Sequence, residues 1–457
     1  MPLLGATGGG SAKGFGALAN LGYFIRNSLR FRLSNSAYLS RTPASAGNRR
    51  TYTWSAWVKR GALNGGGTDM SLFNAGTTSP NYDGFRIKSD TISFYQGGAV
   101  SVNLESTQVF RDPSAWYHLV LAVDTTQATA ANRVKIYVNG NQVTAFGTAN
   151  YPSLNAEAAI NNNLVHNIAA QYANTSSSAF FDGYMGEINF IDGQALTPSS
   201  FGKTDPATNQ WVPKKFAGTY GTNGFYLKFA DASAATAAAI GKDSSGNGNN
   251  WTPNNISVTA GSTYDAMIDS PTLSAAASNY AVLNPLGGQG GTWSNGNLQY
   301  IGGPDAWKNT LSTIMLPSTG KFYAEATLLG TGLADNDSYA TFGVATTLGT
   351  VPLNNNCSIG DGGDLNNFGT NTTGSGKLST GNIVSLSIDR DANTFNYRVN
   401  NTTRFSGTIG TTAGADLFFN YWSYSGSYGQ MAVNFGQRPF AYTPPAGFKS
   451  LNTFNLP

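Results

Sequence analysis

Charged side chains are scarce in this chain of 457 residues, because Asp, Glu, Lys and Arg together make up 11% of it. A typical soluble domain has about 25%. The chain has four glutamates, Glu105, Glu157, Glu187 and Glu325, so one of the best helix formers is almost missing. The net charge of +3 is small and dispersed, which argues against the clustered basic face of a nucleic-acid-binding protein.

Cysteine and histidine are scarcer still. The single cysteine, Cys357, excludes an intrachain disulfide framework. One cysteine and two distant histidines also cannot make a Cys/His metal site. No run approaches the roughly 18 apolar residues of a spanning helix, so membrane insertion is not expected. The first residues show no charged segment followed by a continuous apolar run, and no secretory signal is expected.

Aromatic residues, glycine and small polar residues take the place of the charges. Aromatics make up 12% and there are 55 glycines, so the composition is unlike that of a disordered chain. Short alternating segments such as 51–59 and 133–138 recur with turn residues between them. Asn139-Gly140 between two such segments is a strong hairpin signal, because both positions tolerate positive φ. The sequence therefore predicts an all-β protein built from sandwiches or barrels.

Composition divides the chain into three parts. Residues 1–27 are rich in Gly, Ala and Ser without a sustained period. This is typical either of a flexible tail or of an N-terminal anchor that orders against a partner. Residues 230–275 shift to an Ala-rich and then a Pro/Ser/Thr-rich composition, and the domain boundary is predicted there. The predicted parts are the anchor at 1–27, a domain with a C-terminal linker at 28–275, and a second domain at 276–457.

Four segments of the first predicted domain carry an ordered set of motifs. They are 52–59 (YTWSAWVK), 116–124 (WYHLVLAVD), 134–140 (VKIYVNG) and 181–188 (FDGYMGEI). In this order they resemble a concanavalin A-like, laminin-G-like jelly roll. The resemblance covers residues 28 to about 255 and implies an antiparallel β-sandwich.

The second predicted domain carries motifs of another kind. Segments 320–326 (GKFYAEA), 342–344 (FGV), 381–389 (GNIVSLSID) and 433–440 (VNFGQRPF) resemble an SPRY-type β-sandwich. The tandem, with its NGNNWTPN junction and PPAGF ending, resembles tail-fibre-like virion proteins of tailed bacteriophages. The implied fold is two tandem antiparallel β-sandwiches after a short extended N-terminal anchor.

Catalytic constellations are weak in this sequence. Glycoside hydrolysis needs two carboxylates about 5 to 10 Å apart. Glu187 is the obvious acid, with Asp124 and Asp182 as candidate partners, but a surface or strand-edge position is expected for it. Neither His118 nor His166 is accompanied by a Gly-x-Ser-x-Gly elbow, and the resemblance implies that His118 is a structural imidazole. We expect that the protein is not an enzyme.

Calcium is the cofactor that the sequence allows, because loop carboxylates, amides and backbone carbonyls are its ligands. Each candidate loop can equally be an Asx turn. The candidate loops are Asp243 with Asn247 and Asn249, Asp335 with Asp337, and Asp361 with Asp364.

Glycan binding is the sharper hypothesis. Sugar rings pack on exposed aromatic side chains while amides and carboxylates bind the hydroxyls. The run 420–428 (NYWSYSGSY) has four aromatic residues among small polar ones, and strand alternation predicts that about half of them are exposed. The candidate glycan-binding residues are Tyr421, Trp422, Tyr424, Tyr428, Trp293 and Trp307.

The leading functional hypothesis is a virion structural protein, a tail-fibre or receptor-binding subunit that attaches to host surface glycans without catalysis. Its N-terminal segment would dock to other virion proteins. Analogy with fibres suggests a homotrimer, made in the host cytoplasm and exposed on the particle. The alternatives are a capsid decoration or head-fibre protein, a polysaccharide depolymerase with a lectin-like module, and a purely structural spacer.

Overall fold

The computed structural model of the chain describes residues 22–63, 69–78, 81–97, 102–173, 176–288, 290–302, 307–330, 339–348, 355–374, 376–424 and 430–457. Within these ranges the chain forms antiparallel β-strands, short 3-10 helices and no α-helix, so the predicted all-β class is confirmed. The 3-10 helices are Leu33–Asn35, Ala130–Asn132, Pro198–Ser200 and Thr453–Asn455. No helix among the described residues has the length and apolar character needed to cross a membrane.

The chain forms two compact units. The first unit holds the described residues of Asn20–Val258 and Asp265–Ala277. The second holds Thr259–Tyr264 and the described residues of Ser278–Pro457. Each unit contains a pair of large antiparallel sheets.

The first unit contains twenty strands among its described residues. In chain order they are β1 (Ser28–Phe31), β2 (Tyr38–Arg41), β3 (Thr51–Arg60), β4 (Asp69–Gly76), β5 (Tyr82–Lys88), β6 (Thr91–Gln96), β7 (Val102–Val109), β8 (Trp116–Asp124), β9 (Val134–Val138), β10 (Asn141–Gln142), β11 (Phe146–Asn150), β12 (Val165–Ile168), β13 (Gln171–Ala173), β14 (Ser176–Ser178), β15 (Gly183–Asp192), β16 (Gly202–Thr204), β17 (Trp211–Pro213), β18 (Phe225–Leu227), β19 (Thr252–Asn254) and β20 (Ala266–Met267).

These strands form two large sheets and two small hairpins. The first sheet has the order β10-β9-β8-β3-β15-β1-β20, with β18 also paired to β15. The second sheet has the order β11-β7-β6-β5-β4-β12-β2-β19. The hairpins are β13–β14 and β16–β17. The turn at Asn139-Gly140 joins β9 to β10 with φ of 48° and 83°, so the predicted hairpin is confirmed.

The core of the first unit lies between its two large sheets. Trp54 of β3 is fully buried, and its ring is 6.2 Å from Phe73 and 5.6 Å from Phe85 of the second sheet. Side chains alternate between the faces of a strand, so Trp57, three residues further along β3, lies on the outer face of the first sheet. The inner face of the first sheet therefore carries the core, and its outer face carries a different set of side chains.

The outer face of the first sheet is itself covered. Val120 and Ala122 of β8 form a buried cluster with Phe201 and Phe216, which belong to the segment after β15. The rings of Phe201 and Phe216 stack 5.2 Å apart. This apolar layer places the β16–β17 hairpin against the sheet.

Most of the segment predicted as the C-terminal linker of the first domain belongs to the first unit, with the exception of Thr259–Tyr264. Its strand β20 pairs with β1, and Asp265 and Asp269 are fully buried. Asp265 accepts hydrogen bonds from Arg30 and Arg32 at 3.0 and 2.9 Å. A Pro/Ser/Thr-rich composition suggests a loose connection, but these buried carboxylates are partners that the cations of β1 require.

The described part of the predicted N-terminal anchor begins at residue 22. Ile25 is buried, and its carbonyl oxygen accepts a hydrogen bond of 2.8 Å from the hydroxyl of Thr272. Residues 22–27 therefore pack on the first unit. Residues 1–21, the rest of the anchor, lie outside the described residues.

The second unit contains thirteen described strands in a second pair of sheets. In chain order they are β21 (Thr292–Ser294), β22 (Gln299–Ile301), β23 (Lys308–Leu311), β24 (Lys321–Gly330), β25 (Ala340–Ala345), β26 (Asn356–Gly360), β27 (Leu365–Asn367), β28 (Thr370–Thr372), β29 (Ile383–Asp389), β30 (Thr394–Val399), β31 (Thr402–Thr408), β32 (Phe418–Ser423) and β33 (Gln430–Asn434). One sheet has the order β21-β22-β33-β24-β29-β30-β31 and the other β23-β32-β25-β26-β27-β28.

Candidate functional site

A cleft of about 540 Å³ lies on the outer face of the first sheet, beside the β16–β17 hairpin. Clefts of about 300 to 1,000 Å³ are typical of small-molecule sites. Three tryptophans and several amide side chains line this one, and we call it the tryptophan cleft. The lining residues that matter most are Trp57, Trp116, Trp211, Asn139, Asn209 and Gln210.

His118 supports the floor of the tryptophan cleft from below. Its imidazole stacks on Trp57 at 4.9 Å and on Trp211 at 5.9 Å between ring centroids. Trp211 Nε1 donates to His118 Nδ1 at 3.0 Å, and His118 Nε2 lies 2.9 Å from the hydroxyl of Ser55. An indole N–H only donates, so Nδ1 is the acceptor and the proton is on Nε2. Burial lowers the pKa of His118 to about 3, so the imidazole is neutral.

Two glycines allow the ring of Trp211 to lie flat against the backbone. A Cβ atom at Gly140 would come within 2.5 Å of the Trp211 ring, and one at Gly202 within 2.4 Å. Gly140 belongs to the β9–β10 turn and Gly202 begins β16. The indole is therefore fixed by backbone on two sides and by its hydrogen bond to His118, which lowers the entropy lost when a ligand stacks on it.

The amides of the cleft come from two loops. Asn139 lies in the β9–β10 turn, and its Oδ1 accepts a hydrogen bond of 2.7 Å from the backbone N–H of His118. This contact fixes which end of the amide is oxygen, so the Nδ2 group of Asn139 remains as a donor. Asn209 and Gln210 are exposed in the loop between β16 and β17. Amides both donate and accept, which suits a hydroxyl-rich ligand.

The wall behind Trp116 contains a buried ion pair. Trp116 Nε1 donates to Asp269 Oδ1 at 3.1 Å, and Lys59 Nζ lies 2.8 Å from Asp269 Oδ2. Both charged side chains are fully buried. Burial lowers the pKa of Lys59, while the neighbouring Asp269 raises it. The pair positions Trp116 and balances its own charge.

Glu187, the candidate acid, is buried rather than at the surface or a strand edge, and that expectation is corrected. It is 6% exposed and lies at a β-bulge of β15 with φ of 54°. The hydroxyl of Tyr226 donates to its carboxylate at 2.7 Å, and the hydroxyl of Tyr23 donates to the same group. Burial raises the pKa of Glu187 to about 7, although the two tyrosines oppose the shift. The carboxyl fastens residue 23 to β15.

The other candidate catalytic groups also have structural partners. His166 is buried, its Nδ1 donates to the carbonyl of Leu164 and its Nε2 accepts from the N–H of Asn161. Burial lowers its pKa to about 4. Asp182 accepts from the N–H of Ala62, and Asp124 caps the turn at Thr126. None of these residues lines the tryptophan cleft.

The candidate calcium carboxylates organise their own loops. Asp243 Oδ1 accepts from the N–H groups of Tyr226 and Ser245, and Oδ2 accepts from the Ser245 hydroxyl and the N–H of Asn249. Both of its oxygens are thus saturated, so the calcium prediction at Asp243 is corrected to an Asx turn.

The two other described carboxylates also accept backbone N–H groups. Asp361 accepts from Tyr339 and Ala340, and Asp364 accepts from Gly374. Among the residues that the structure describes, no three His, Cys, Asp or Glu side chains come together to hold a metal ion. Calcium at Asp361 and Asp364 stays a prediction, and the loop of Asp335 and Asp337 lies outside the described residues.

Two of the predicted glycan-binding residues are in the core of the second unit, which corrects their assignment. Tyr421 and Trp422 are both 0% exposed, although alternation should have exposed one of them. Their strand β32 lies between β23 and β25. The Tyr421 ring packs at 6.0 Å from Tyr300, and Trp422 is covered by Trp307 at 6.4 Å. Both faces of the strand are therefore covered.

Two further candidates meet in a half-buried aromatic patch. Tyr424 lies 5.7 Å from Trp307 and 5.8 Å from Tyr339 between ring centroids, and all three are partly exposed. Trp293 is separate from them, because its ring packs on Tyr300 and its Nε1 donates to Thr310. Tyr428 lies outside the described residues. We call Trp307, Tyr339 and Tyr424 the aromatic patch.

The tryptophan cleft itself was not found by sequence reasoning. Its residues come from β3, β8, the β9–β10 turn and the β16–β17 hairpin, and only folding brings these together. The available signal was the WYH motif at 116–118 beside the Asn-Gly turn, together with an isolated Trp211 in a polar segment. A tryptophan in a polar segment is expected to pack against another part of the fold, and Trp211 packs on His118.

Comparison with solved structures finds similar β-sandwiches of low identity. The SPRY domain of human HERC1 is 15% identical over 34% of this chain and 99% of its own, with a TM-score of 0.30. A heptameric SAP-like pentraxin from Limulus polyphemus is 15% identical over 38% and 80%, also at 0.30. A proposed carbohydrate-binding protein from Bacteroides ovatus is 16% identical over 50% of this chain and 59% of its own, at 0.33.

Comparison by sequence finds a family model that matches part of the first unit. None of the curated proteins that were compared matches it. Among family models, a match falls within the first unit, over β2 to β15 and the helix Pro198–Ser200. Residues 33–201 match the laminin-G-type model of the concanavalin A-like lectin/glucanases superfamily, which supports the predicted lectin-like jelly roll over that stretch.

Proposed function

We propose that the protein binds glycans without catalysis, and that the tryptophan cleft is its binding site. The observation that carries the proposal is the arrangement of Trp211, fixed between two glycines and His118, beside the exposed amides of Asn209 and Gln210. A rigid aromatic ring with flanking amides is the arrangement that stacks a sugar and binds its hydroxyls. The match of residues 33–201 to the laminin-G-type model of the concanavalin A-like lectin/glucanases superfamily supports the glycan-binding part of the proposal.

The absence of acids from the described cleft lining favours binding over hydrolysis. Hydrolysis needs a pair of carboxylates across the scissile bond, whereas the described lining consists of Trp, Asn, Gln, Thr and Gly. Burial raises the pKa of the Glu187 carboxyl to about 7. It is buried under Tyr23 and Tyr226, so it has no route to a polysaccharide in this conformation.

The virion role remains part of the proposal through the tandem of a lectin-like and an SPRY-like domain. We place the protein on a bacteriophage particle as a tail-fibre or receptor-binding subunit, docked through residues 1–27 to other virion proteins and assembled as a trimer. Multivalent display would convert weak sugar contacts into useful avidity. Detection of the chain in purified particles by mass spectrometry tests this placement. If the protein is a head fibre instead, it should also be detected in heads purified without tails.

The direct test of function uses the purified full chain and bead-immobilised polysaccharides. We expect retention on at least one polysaccharide, loss of retention in Trp211→Ala, and no new reducing ends. Phe454→Ala is the control, because it removes an exposed aromatic residue of the other unit that is not a glycan-binding candidate. Release of reducing ends that Glu187→Gln abolishes would contradict the binding-only function and favour the depolymerase.

A further inference from the structure

We infer that the tryptophan cleft takes an uncharged saccharide and holds it without a cation. The inference rests on the proposed glycan-binding function and adds the chemical class of the ligand. It follows from the side chains that line the cleft and from those immediately behind its wall.

The described lining offers no charge to a ligand. Its side chains are tryptophan, asparagine, glutamine and threonine, with one glycine. A sugar that carries a carboxylate or sulfate would lose hydration on entering and would find no opposite charge there. Desolvating an unpaired ion is costly, whereas a neutral sugar exchanges water for amide hydrogen bonds.

The buried charged side chains behind the wall of the cleft form an ion pair with each other. Asp269, behind Trp116, is paired with Lys59 at 2.8 Å and also accepts from Trp116 Nε1 at 3.1 Å. Both ionic side chains are 0% exposed. A ligand therefore meets the indole of Trp116 and neither ion, and the wall adds no preference for either sign of charge.

Calcium-mediated binding would need oxygen ligands that the described lining lacks. Calcium takes six to eight oxygens and usually several carboxylates, and no carboxylate borders the described part of the cleft. The amide of Asn139 has its Oδ1 occupied by the N–H of His118, which turns a nitrogen and not an oxygen toward a ligand. Direct hydrogen bonding to sugar hydroxyls remains.

The test compares matched neutral and acidic oligosaccharides on the full chain. The probes are neutral hexose and N-acetylhexosamine oligosaccharides, and the same backbones bearing sialic or uronic acid, immobilised and read in excess EDTA and then in calcium. We expect retention of neutral probes at least about tenfold above their acidic counterparts, a preference of about 1.4 kcal/mol, with no effect of EDTA.

Two variants make the result specific to the cleft. Asn209→Gly with Gln210→Ala removes the two exposed amides of the β16–β17 loop while keeping the positive φ of 56° at position 209, and should abolish retention without unfolding. The control is Gln108→Ala with Asn150→Ala, two exposed residues of the second sheet. Gln210→Lys adds a cation and should raise retention of acidic probes.

The outcomes separate the two levels of the proposal. Equal or tighter binding of acidic probes, or loss of binding in EDTA, overturns the uncharged, cation-free ligand while leaving glycan binding intact. Retention that survives the Asn209/Gln210 variant also overturns the inference, because the ligand is then bound elsewhere. Failure of every probe to bind overturns the proposed function itself.

Discussion

Trp211 Nε1 donates a hydrogen bond of 3.0 Å to Nδ1 of His118, so the indole that lines the cleft is held in place by the imidazole beneath it. Protonation of His118 at Nδ1 would place two donors face to face. Loss of this bond would free the indole from the position that Gly140 and Gly202 define. The site's geometry therefore depends on the protonation of a residue that lies beneath it.

Acid should weaken the first unit through His118. Its pKa is lowered by burial from 6.5 to about 3, so the unfolded chain binds a proton that the folded chain excludes between these values. Stability contributed by His118 is present above pH 6.5 and is lost progressively as the pH falls toward 3. Urea unfolding across this range should show the slope. His118→Phe, which keeps an aromatic ring, should remove the part of the slope that is due to His118 and leave the part due to His166, whose pKa burial lowers to about 4.

Breaking the Lys59–Asp269 pair should be more harmful than removing it. Lys59→Met leaves a fully buried Asp269 without its cation, and we expect a loss of about 3 to 5 kcal/mol in the free energy of unfolding. Lys59→Met combined with Asp269→Leu should recover part of that loss. Urea midpoints of the parent, Lys59→Met and the double variant measure it, and a double variant less stable than Lys59→Met would contradict the prediction.

Glu187→Gln should make the protein less sensitive to base. Burial raises the pKa of Glu187 from 4.5 to about 7, so the folded chain holds a proton that the unfolded chain releases. Its contribution is present below pH 4.5 and is lost as the pH rises through 7. The stability of the variant relative to the parent should therefore increase between pH 4.5 and 7. A constant difference across that range would mean that the carboxyl is not desolvated.

Trp422→Ala and Trp307→Ala should differ sharply in stability. Trp422 is fully buried, and truncating a buried tryptophan costs about 3 to 5 kcal/mol. Trp307, in the aromatic patch, is only partly buried, so its loss should cost less than half as much. Thermal melts of the two variants make the comparison, and similar melting temperatures would argue against the core position of Trp422.

Local sequence signals predicted the fold class because each acts over a few residues. The alternation in 51–59 and the Asn139-Gly140 turn both appear in the structure as strand and hairpin. The jelly-roll motifs at 116–124 and 181–188 lie in neighbouring positions around β3. Strands and hairpin turns can be predicted locally, because strands follow from the two-residue alternation of apolar and polar side chains and turns from residues that tolerate positive φ.

The site could not be predicted in the same way. Alternation says which residues share a face but not whether that face is covered. It therefore leaves both Tyr421 and Trp422 as glycan-binding candidates, whereas both are buried and Trp307 covers Trp422. Trp211 lies 93 residues from His118 in the chain. No local pattern links the two, and the apolar layer of Phe201 and Phe216 helps to pack the hairpin onto the sheet.

The buried carboxylates of the segment around β20 also set an order of events during synthesis. Asp269 follows its partner Lys59 by 210 residues, and Asp265 follows Arg30 by 235. As the ribosome delivers the chain, Arg30 of β1 and Lys59 of β3 have no access to these two carboxylates until Asp265 and Asp269 emerge. We therefore expect the first unit to complete its folding only after its last segment has left the exit tunnel, when most of its strands have already been made.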